Sequence, residues 1–458
     1  MSRLAGIDPA RLAAVLADER DRFLQDHPKA ASLATQSAEH WLGGVPMHWM
    51  NDWASPVPLY ARDAAGAVIH DVDGHRYDDF CLGDTPSMYG HAVPAITEAL
   101  SAQLARGSSF MLPTEDVPAV GRLLAARFGL PVWQMATTAS DANRAAIRWA
   151  RALTGRSQIL VFDGCYHGAV DDAYVVQGPQ GARMKPGLVG QVHDMTATTR
   201  VVAFNDIAAL EAALADGAVA AVLAEPAMTN CGMILPDDGF HDALRTLTRR
   251  YGTLLILDET HTISTGPGGY TGAFGLAPDM LTLGKPIAGG IPAAVWGMTA
   301  DIADRIRDYQ RTAETGSSGI GTTLSGNALA VAGMRAMLEQ VMTPAAYAHM
   351  RAMTVRLVDA LEAVITRHGL PWSTVNVGAR VELVLARPAP RDAAAMRASL
   401  HGPLLDVLHL GLINRGVLIA PFHMMMLLSP ATLPAQVDRL AAAVDDIAAL
   451  LLASNDHD

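Results

Sequence analysis

Between residues 132 and 298, short apolar runs alternate with amphipathic helical stretches, and that alternation leaves few architectures open. The runs are Val132–Ala136, Gln158–Phe162, 201–204, Val219–Ala224, 253–257, Met280–Leu283 and 293–298. Helical periodicity lies at 141–153, 207–215 and 239–251. Runs this short and this continuously apolar predict strands buried on both faces. Strand alternating with helix predicts an open, mostly parallel sheet, an α/β fold. In such sheets ligands bind beyond the carboxyl ends of the strands. Thr137, Thr138, Asp163, Glu225 and Asp258 all fall at those ends.

The flanks read differently. Residues 9–26 carry Leu12, Val15, Leu16 and Phe23 at helical spacing, with Pro9 suited to a first turn. The stretch 43–53 is irregular and rich in Met and Trp, either a loop pinned by its aromatics or an apolar pocket wall. Residues 58–80 read as a small β-meander, 81–91 as a loop and 91–106 as a helix. Beyond 327 come helical patterns at 327–340, 345–368, 393–415 and 433–453, with β-patterned runs at 379–386 and 417–420. Residues 454–458 are expected to fray. The expected organisation is a segment of residues 1–75, a large domain of 76–330 and a small α+β domain of 331–458.

Composition narrows the function. The net charge is −12, which argues against nucleic acid or an anionic membrane as the main partner. No apolar stretch reaches the 18 residues of a membrane span. Residues 1–22 lack a signal-peptide core. Cys81, Cys165 and Cys231 are widely spaced, which fits buried thiols in a reducing, cytoplasmic setting. With no HExxH motif and no Cys/His cluster in the sequence, no metal site is expected.

Five signals lie where one cofactor could be held. The turn 137–143 opens a helix, whose free N–H groups bind phosphate, though an ordinary N-cap reads the same. In 162–168, Tyr166 and His167 sit in a glycine-flanked turn, where a ring can cover a planar ligand or simply pack. Past the Val219–Ala224 run, Glu225 and Asn230 offer a carboxylate and an amide; Asn230 also suits a turn. Asp258 ends a buried run, costly for a carboxylate without a partner. One run later comes Lys285, one of three lysines, framed by Gly284, Gly289 and Gly290. An enclosed lysine amine can attack carbonyls, whereas a strand-end lysine can also lie exposed in a turn.

Together these residues resemble the fold-type I enzymes that use pyridoxal 5′-phosphate (PLP). The details resemble class III aminotransferases of the glutamate-1-semialdehyde aminomutase-like branch. The carrying motifs are Asp258-Glu-Thr260, residues 275–285, 162–168 and 323–327, with a weaker match at 71–80. The resemblance covers the chain from about residue 40 onward. It implies a large domain with a seven-stranded-type sheet and a smaller domain built from both chain ends. It implies Lys285 as the Schiff-base (internal aldimine) lysine and proton shuttle, and Asp258 as partner of the pyridine nitrogen. Tyr166 and Thr260 would cover the two ring faces, and Asn230 would bind the ring hydroxyl oxygen. Thr138, Ala139 and Ser140 would hold the phosphate. His167 belongs to the same motif, without an assigned role. Thr323 would reach the phosphate of a neighbouring subunit, which implies a homodimer with shared sites. Thr260 replaces a usual valine, and Ala139 a usual glycine.

The resemblance breaks where the substrate would sit. The aminomutase carries an arginine in its N-terminal motif, and residues 43–50 hold none. It carries a glutamate near the middle of the stretch matching 420–429, where this chain has methionines. Trp49, Met50, Trp53, Tyr89 and Met425 are therefore the expected pocket residues, an adaptable apolar surface. The expected activity is transfer of an amino group from a hydrophobic or aryl-bearing amine to a keto acid or aldehyde. An aminomutase, or another PLP reaction such as racemisation or decarboxylation, is the alternative. Arg380 and Arg415 are candidates for an acceptor carboxylate, although an exposed or salt-bridged arginine is the better reading of each.

Overall fold

The structure, a computed structural model, describes residues 6–313 and 318–453. The expected fraying at 454–458 lies outside the described residues. The chain forms two compact units: 94–347 with 391–395, and 1–93 with 348–390 and 396–458.

The first unit is built on seven strands. They are β1 (Val132–Ala136), β2 (Gln158–Phe162), β3 (Thr199–Val202), β4 (Val219–Ala224), β5 (Leu254–Asp258), β6 (Met280–Leu283) and β7 (Ala294–Met298). Their order across the sheet is β1-β7-β6-β5-β4-β2-β3. Only β7 runs against its neighbours. The carboxyl ends of the other six strands therefore share one edge. The apolar runs are continuous because both faces are covered: all six residues of β4 are buried. Helix α1 (Ala139–Thr154) packs across the sheet. Its buried residues include Ala142, Ala145, Ala146 and Ala150, small enough to bring helix backbone close to strand. Helices α2 (Ile207–Leu214) and α3 (Phe240–Arg250) fall where the periodicity placed them.

Several elements differ from the sequence reading. β3 starts two residues early, and Phe204 leaves the strand to pack on Phe162 and Phe240, with centroids 5.1 and 4.5 Å away. The hairpin Val175–Gly178/Gly181–Met184 and the helix Val117–Phe128 were not anticipated. The expected helix 327–340 is α-helical over Ala328–Ala336 and then widens into a π-turn, Met337–Val341. The Arg127 guanidinium donates to the Leu338 and Met342 carbonyls at 2.7 Å each, satisfying groups that the wide turn leaves open.

The second unit joins the two chain ends. A four-stranded sheet holds Ala61–Ala65, Val68–Asp71 and Arg76–Asp79, and its fourth strand, Val417–Leu418, comes from the far end of the chain. A second sheet contains Ser373–Val377, Arg380–Val384 and Met425–Leu427. The unit boundaries fall at 93/94 and 347/348, later than the expected divisions at 75/76 and 330/331. The strand pairing of Arg76–Asp79 with Val417–Leu418 explains the first shift, and the packing of Ala328–Ala336 on Pro94–Leu104 the second. The expected single helix 393–415 is two helices, Ala393–Ser399 and Gly402–Ile413. His401 caps the second by accepting from the Leu404 N–H, and Pro403 suits its first turn. No helix among the described residues is long and apolar enough to cross a membrane.

Two polar clusters tie the N-terminal helix, Pro9–Asp26, into this unit. His27, Asp71 and His75 stand at metal-ligand spacing, which the sequence did not suggest. Their facing atoms are already committed to hydrogen bonds: His27 Nε2 with Tyr77 Oη at 2.7 Å, and His75 Nδ1 with Asp71 at 2.9 Å. Glu19 is buried and accepts from Arg415 at 2.8 Å and Asn414 at 2.7 Å. Removing one member of a buried ion pair strands the other charge, at a cost of about 3–5 kcal/mol. Glu19→Ala should therefore lower the urea midpoint of unfolding clearly; an unchanged midpoint would show that Arg415 finds water instead.

Candidate active site

The shared strand edge gathers the functional side chains. Asp258 ends β5 with its side chain buried, and both of its oxygens accept hydrogen bonds. Oδ2 accepts from Asn143 Nδ2 at 2.8 Å and from His167 Nδ1 at 3.0 Å, and Oδ1 accepts from the Thr260 N–H at 3.1 Å. Asn143, on the inner face of α1, is held in turn by the Thr282 hydroxyl on β6 at 2.8 Å. Burial alone would raise the Asp258 carboxyl. Burial is the largest single influence, but His167, Thr260 and Asn143 together outweigh it, and the carboxyl stays below its ordinary 3.8. Burial likewise opposes charge on His167, and Asp258 and Cys165 overcome it, raising the ring from 6.5 to about 10.

Lys285 follows β6 through Gly284. Its φ is +48°, a conformation that residues with a side chain rarely adopt and that clusters at functional sites. A Cβ on Gly284 would stand 2.8 Å from the Cβ of Ala139, so the glycine lets this loop press against the first turn of α1. Gly168 does the same from the β2 side: its φ is +81° and a Cβ there would meet Ser140 Oγ at 2.0 Å. The start of α1 is thus closed in by two glycine-bearing loops. Thr138 caps it, accepting from the Asp141 N–H, and Ser140 Oγ accepts from the Ala169 N–H at 2.9 Å. The amides of this first turn present a positive helix end of the kind that holds phosphate.

Lys285 Nζ lies 2.5 Å from His261 Nε2, a residue the sequence reading passed over. His261 Nδ1 meets Thr229 Oγ1 at 2.7 Å, and Thr229 donates to Glu225 at 2.5 Å. Asn230 donates to the other Glu225 oxygen at 3.2 Å. Thr229 and Asn143 were missed as well. Asn143 lies one turn after Ala139, so helical spacing alone could have placed it on the inner face. Nothing in the sequence ties Thr229 to His261.

The expected cofactor residues therefore assemble in one unit. Tyr166 is exposed, and His167 next to it is buried. Thr260 Oγ1 and His167 Nε2 are buried without a hydrogen-bond partner. Thr323 is exposed, while its neighbours Thr322 and Ser325 approach Thr137 of the same chain at 3.0 and 3.3 Å.

All five expected pocket residues belong to the other unit. Met50 and Trp53 line a cavity of about 480 Å³ with Trp41, Tyr60 and Leu418. Met425 is buried against Arg380, Sδ to Nη1 3.6 Å, and Tyr89 is buried too. Trp49 is exposed. Arg415 is spent on Glu19, and Arg380 is fully buried on Thr85 and Met425.

A carboxylate with a lone pair to spare on Oδ1, an orphaned hydroxyl at Thr260, a closed helix start and an amine opposite fit PLP. The comparisons agree. The profile of the family described as aminotransferase class-III matches residues 49–451. A crystal structure titled as a glutamate-1-semialdehyde-aminomutase from Pseudomonas aeruginosa PAO1 is 46% identical, with a TM-score of 0.95 over 98% of this chain and 100% of that one. A lysine-to-alanine variant of a glutamate-1-semialdehyde-aminomutase from the same strain has been solved in complex with PMP. The glutamate-1-semialdehyde 2,1-aminomutase of Neisseria gonorrhoeae (strain NCCP11945) is 34% identical over 80% of this chain and 85% of its own. A β-phenylalanine aminotransferase from Variovorax paradoxus is 26% identical, with a TM-score of 0.83 over 95% and 97%.

The His167–Asp258 pair predicts its own pH window. The raised His167 contributes stability that is complete below about 6.5 and lost as pH rises through about 10. The lowered Asp258 contributes stability present above 3.8 and lost as pH falls through its folded value. Imidazole ¹⁵N resonances of His167 should keep the doubly protonated pattern at pH 8; loss of a ring proton near pH 6.5 would show that the pair is not ionic.

The chain belongs to the class-III aminotransferase family, PLP-dependent enzymes of fold-type I.

Proposed function

We propose that this chain is an aminomutase of the glutamate-1-semialdehyde type, an enzyme that moves an amino group between neighbouring carbons of one substrate. The observation that carries this is the likeness to the Pseudomonas aeruginosa aminomutase, which runs through nearly the whole chain at 46% identity. The sequence alone put a transaminase first and this reading second; the relatives' names favour the second.

When bound, PLP supplies an electron-withdrawing ring beside the carbon that carries the amino group. The chain's residues would then divide the remaining work. The α1 amides at Ala139 and Ser140, with the Thr138 hydroxyl, would hold the phosphate and fix the ring's position. Asp258, kept ionised by His167 and Asn143, would hold a proton on the pyridine nitrogen. Tyr166 and Thr260 would bracket the ring, and Asn230 would meet its hydroxyl. Lys285 would carry the cofactor and move the proton at the reacting carbon as general base and acid. Exposed Thr323 would be given to the site of a second copy.

A second reading, a transaminase for hydrophobic or aryl-bearing amines, has its own support. Residues 43–50 carry no arginine for a short acidic substrate, and Met424, Met425 and Met426 are buried where the aminomutase branch carries a glutamate. The Variovorax relative is named for an aryl-bearing amino acid. One experiment separates the two. Glutamate-1-semialdehyde should be converted to an isomer of the same mass with its amino group moved. A panel of aryl amines with keto-acid acceptors should yield little ketone. The reverse pattern would replace the first reading with the second. Lys285→Ala should still bind PLP yet abolish either reaction; retained turnover would overturn the role given to Lys285.

A further inference from the structure

Three side chains stand in line behind the lysine, and each junction is within hydrogen-bonding distance: Lys285 Nζ to His261 Nε2 at 2.5 Å, His261 Nδ1 to Thr229 Oγ1 at 2.7 Å, Thr229 Oγ1 to Glu225 Oε2 at 2.5 Å. His261, Thr229 and Glu225 are all buried. Proton counting fixes how they connect. A threonine hydroxyl has one proton, and an ionised Glu225 can only accept. Thr229 therefore donates to Glu225 and accepts from His261 Nδ1–H, and the Asn230 amide, 3.4 Å from Nδ1, donates to Glu225 Oε1 and not to the ring. That tautomer leaves the Nε2 lone pair facing Lys285.

We propose that Glu225, Thr229 and His261 form a proton relay that takes a proton from the Lys285 ammonium and presents the lysine as a neutral amine. Three transfers along the line accomplish it. The Nζ–H bond breaks as H–Nε2 forms, Nδ1–H breaks as H–Oγ1 forms, and Oγ1–H breaks as H–Oε2 forms. One proton moves from amine to carboxyl, and neither electrons nor another reactant are needed. Both end states keep every junction hydrogen-bonded, with all donors reversed. Burial favours the end state in which neither terminus is charged. In agreement, burial raises the Glu225 carboxyl above its ordinary value, against the pull of His167 and of the Thr229 and Asn230 bonds. The charged neighbours acting on Glu225 are His167 and Asp258, and their effects oppose each other. His261 thus acts through Lys285 as a positioning and relay residue, much as a histidine oriented by a carboxylate serves a nucleophile.

The role of the lysine rests on the function proposed above, but the relay itself can be tested without it. The chain has three lysines, and Lys29 and Lys185 are exposed. Full-length protein stripped of cofactor is labelled with trace acetic anhydride across pH 6–10, and the lysines are read separately by peptide mass spectrometry. Lys29 and Lys185 serve as internal references. Thr229→Val leaves His261 against Lys285 and cuts the line behind it. The expected result is that its Lys285 labelling profile moves to higher pH by about one unit, equivalent to a tenfold loss of labelling on the rising limb. His261→Gln should match it, and Thr229→Ser should restore the native profile. A native profile in folded Thr229→Val would overturn the relay. If Thr229→Val does not fold, Glu225→Gln, which keeps shape and removes the final acceptor, decides in the same way. Absence of aminomutase and transaminase activity would sink the function proposed above and leave the labelling result standing.

Discussion

The site depends on one buried charge. Asp258 is placed at the carboxyl end of β5 by a run of apolar residues, where an isolated carboxylate would be neutralised. It remains ionised because three segments far apart in sequence converge on it: Asn143 from α1, His167 from the loop after β2, and the backbone beyond β5 itself. Asn143 is fixed from behind by Thr282 and by its own bond to the His167 carbonyl. The ion pair therefore doubles as the clamp that sets the strand ends, the first turn of α1 and the Lys285 loop in register.

Glycine does the complementary work. At Gly168 and Gly284 a side chain would collide with the first turn of α1, so these two positions decide how closely the loops approach it. Glu259, next in sequence to Asp258, points the other way, as strand alternation requires. It is buried, accepts from the Thr262 hydroxyl and from the Tyr270 and Thr271 amides, and organises the loop behind the site. Two adjacent carboxylates thus hold opposite sides of the same edge.

Much of this was legible because burial writes itself into short apolar runs. All seven strands were visible that way, and Asp258 and Lys285 stood out as polar residues at the ends of such runs. What escaped depended on partners distant in sequence or on local punctuation. Val117–Phe128 contains Pro118 and Gly121, which blur helical periodicity although a proline in the first turn is harmless. The hairpin at 175–184 is largely exposed and carries no apolar signature. His261 and Thr229 sit in unremarkable turns, and only the folded chain brings them to Lys285. Composition alone did not separate the Met- and Trp-rich residues by burial: Trp49 is exposed, whereas Met425 is buried.

The antiparallel strand β7 has a consequence in the order of events during synthesis. β1 leads directly into the helix start that would cradle the phosphate, yet its only partner in the sheet is β7, the last strand of the seven to be made. Lys285 is translated before β7 as well. A ribosome-bound chain can display Ser140, Asp258 and Lys285 and still lack the strand that joins β1 to β6. Cofactor capture is therefore coupled to completion of this unit, and the exposed intermediate before that point is the one a cell must shelter.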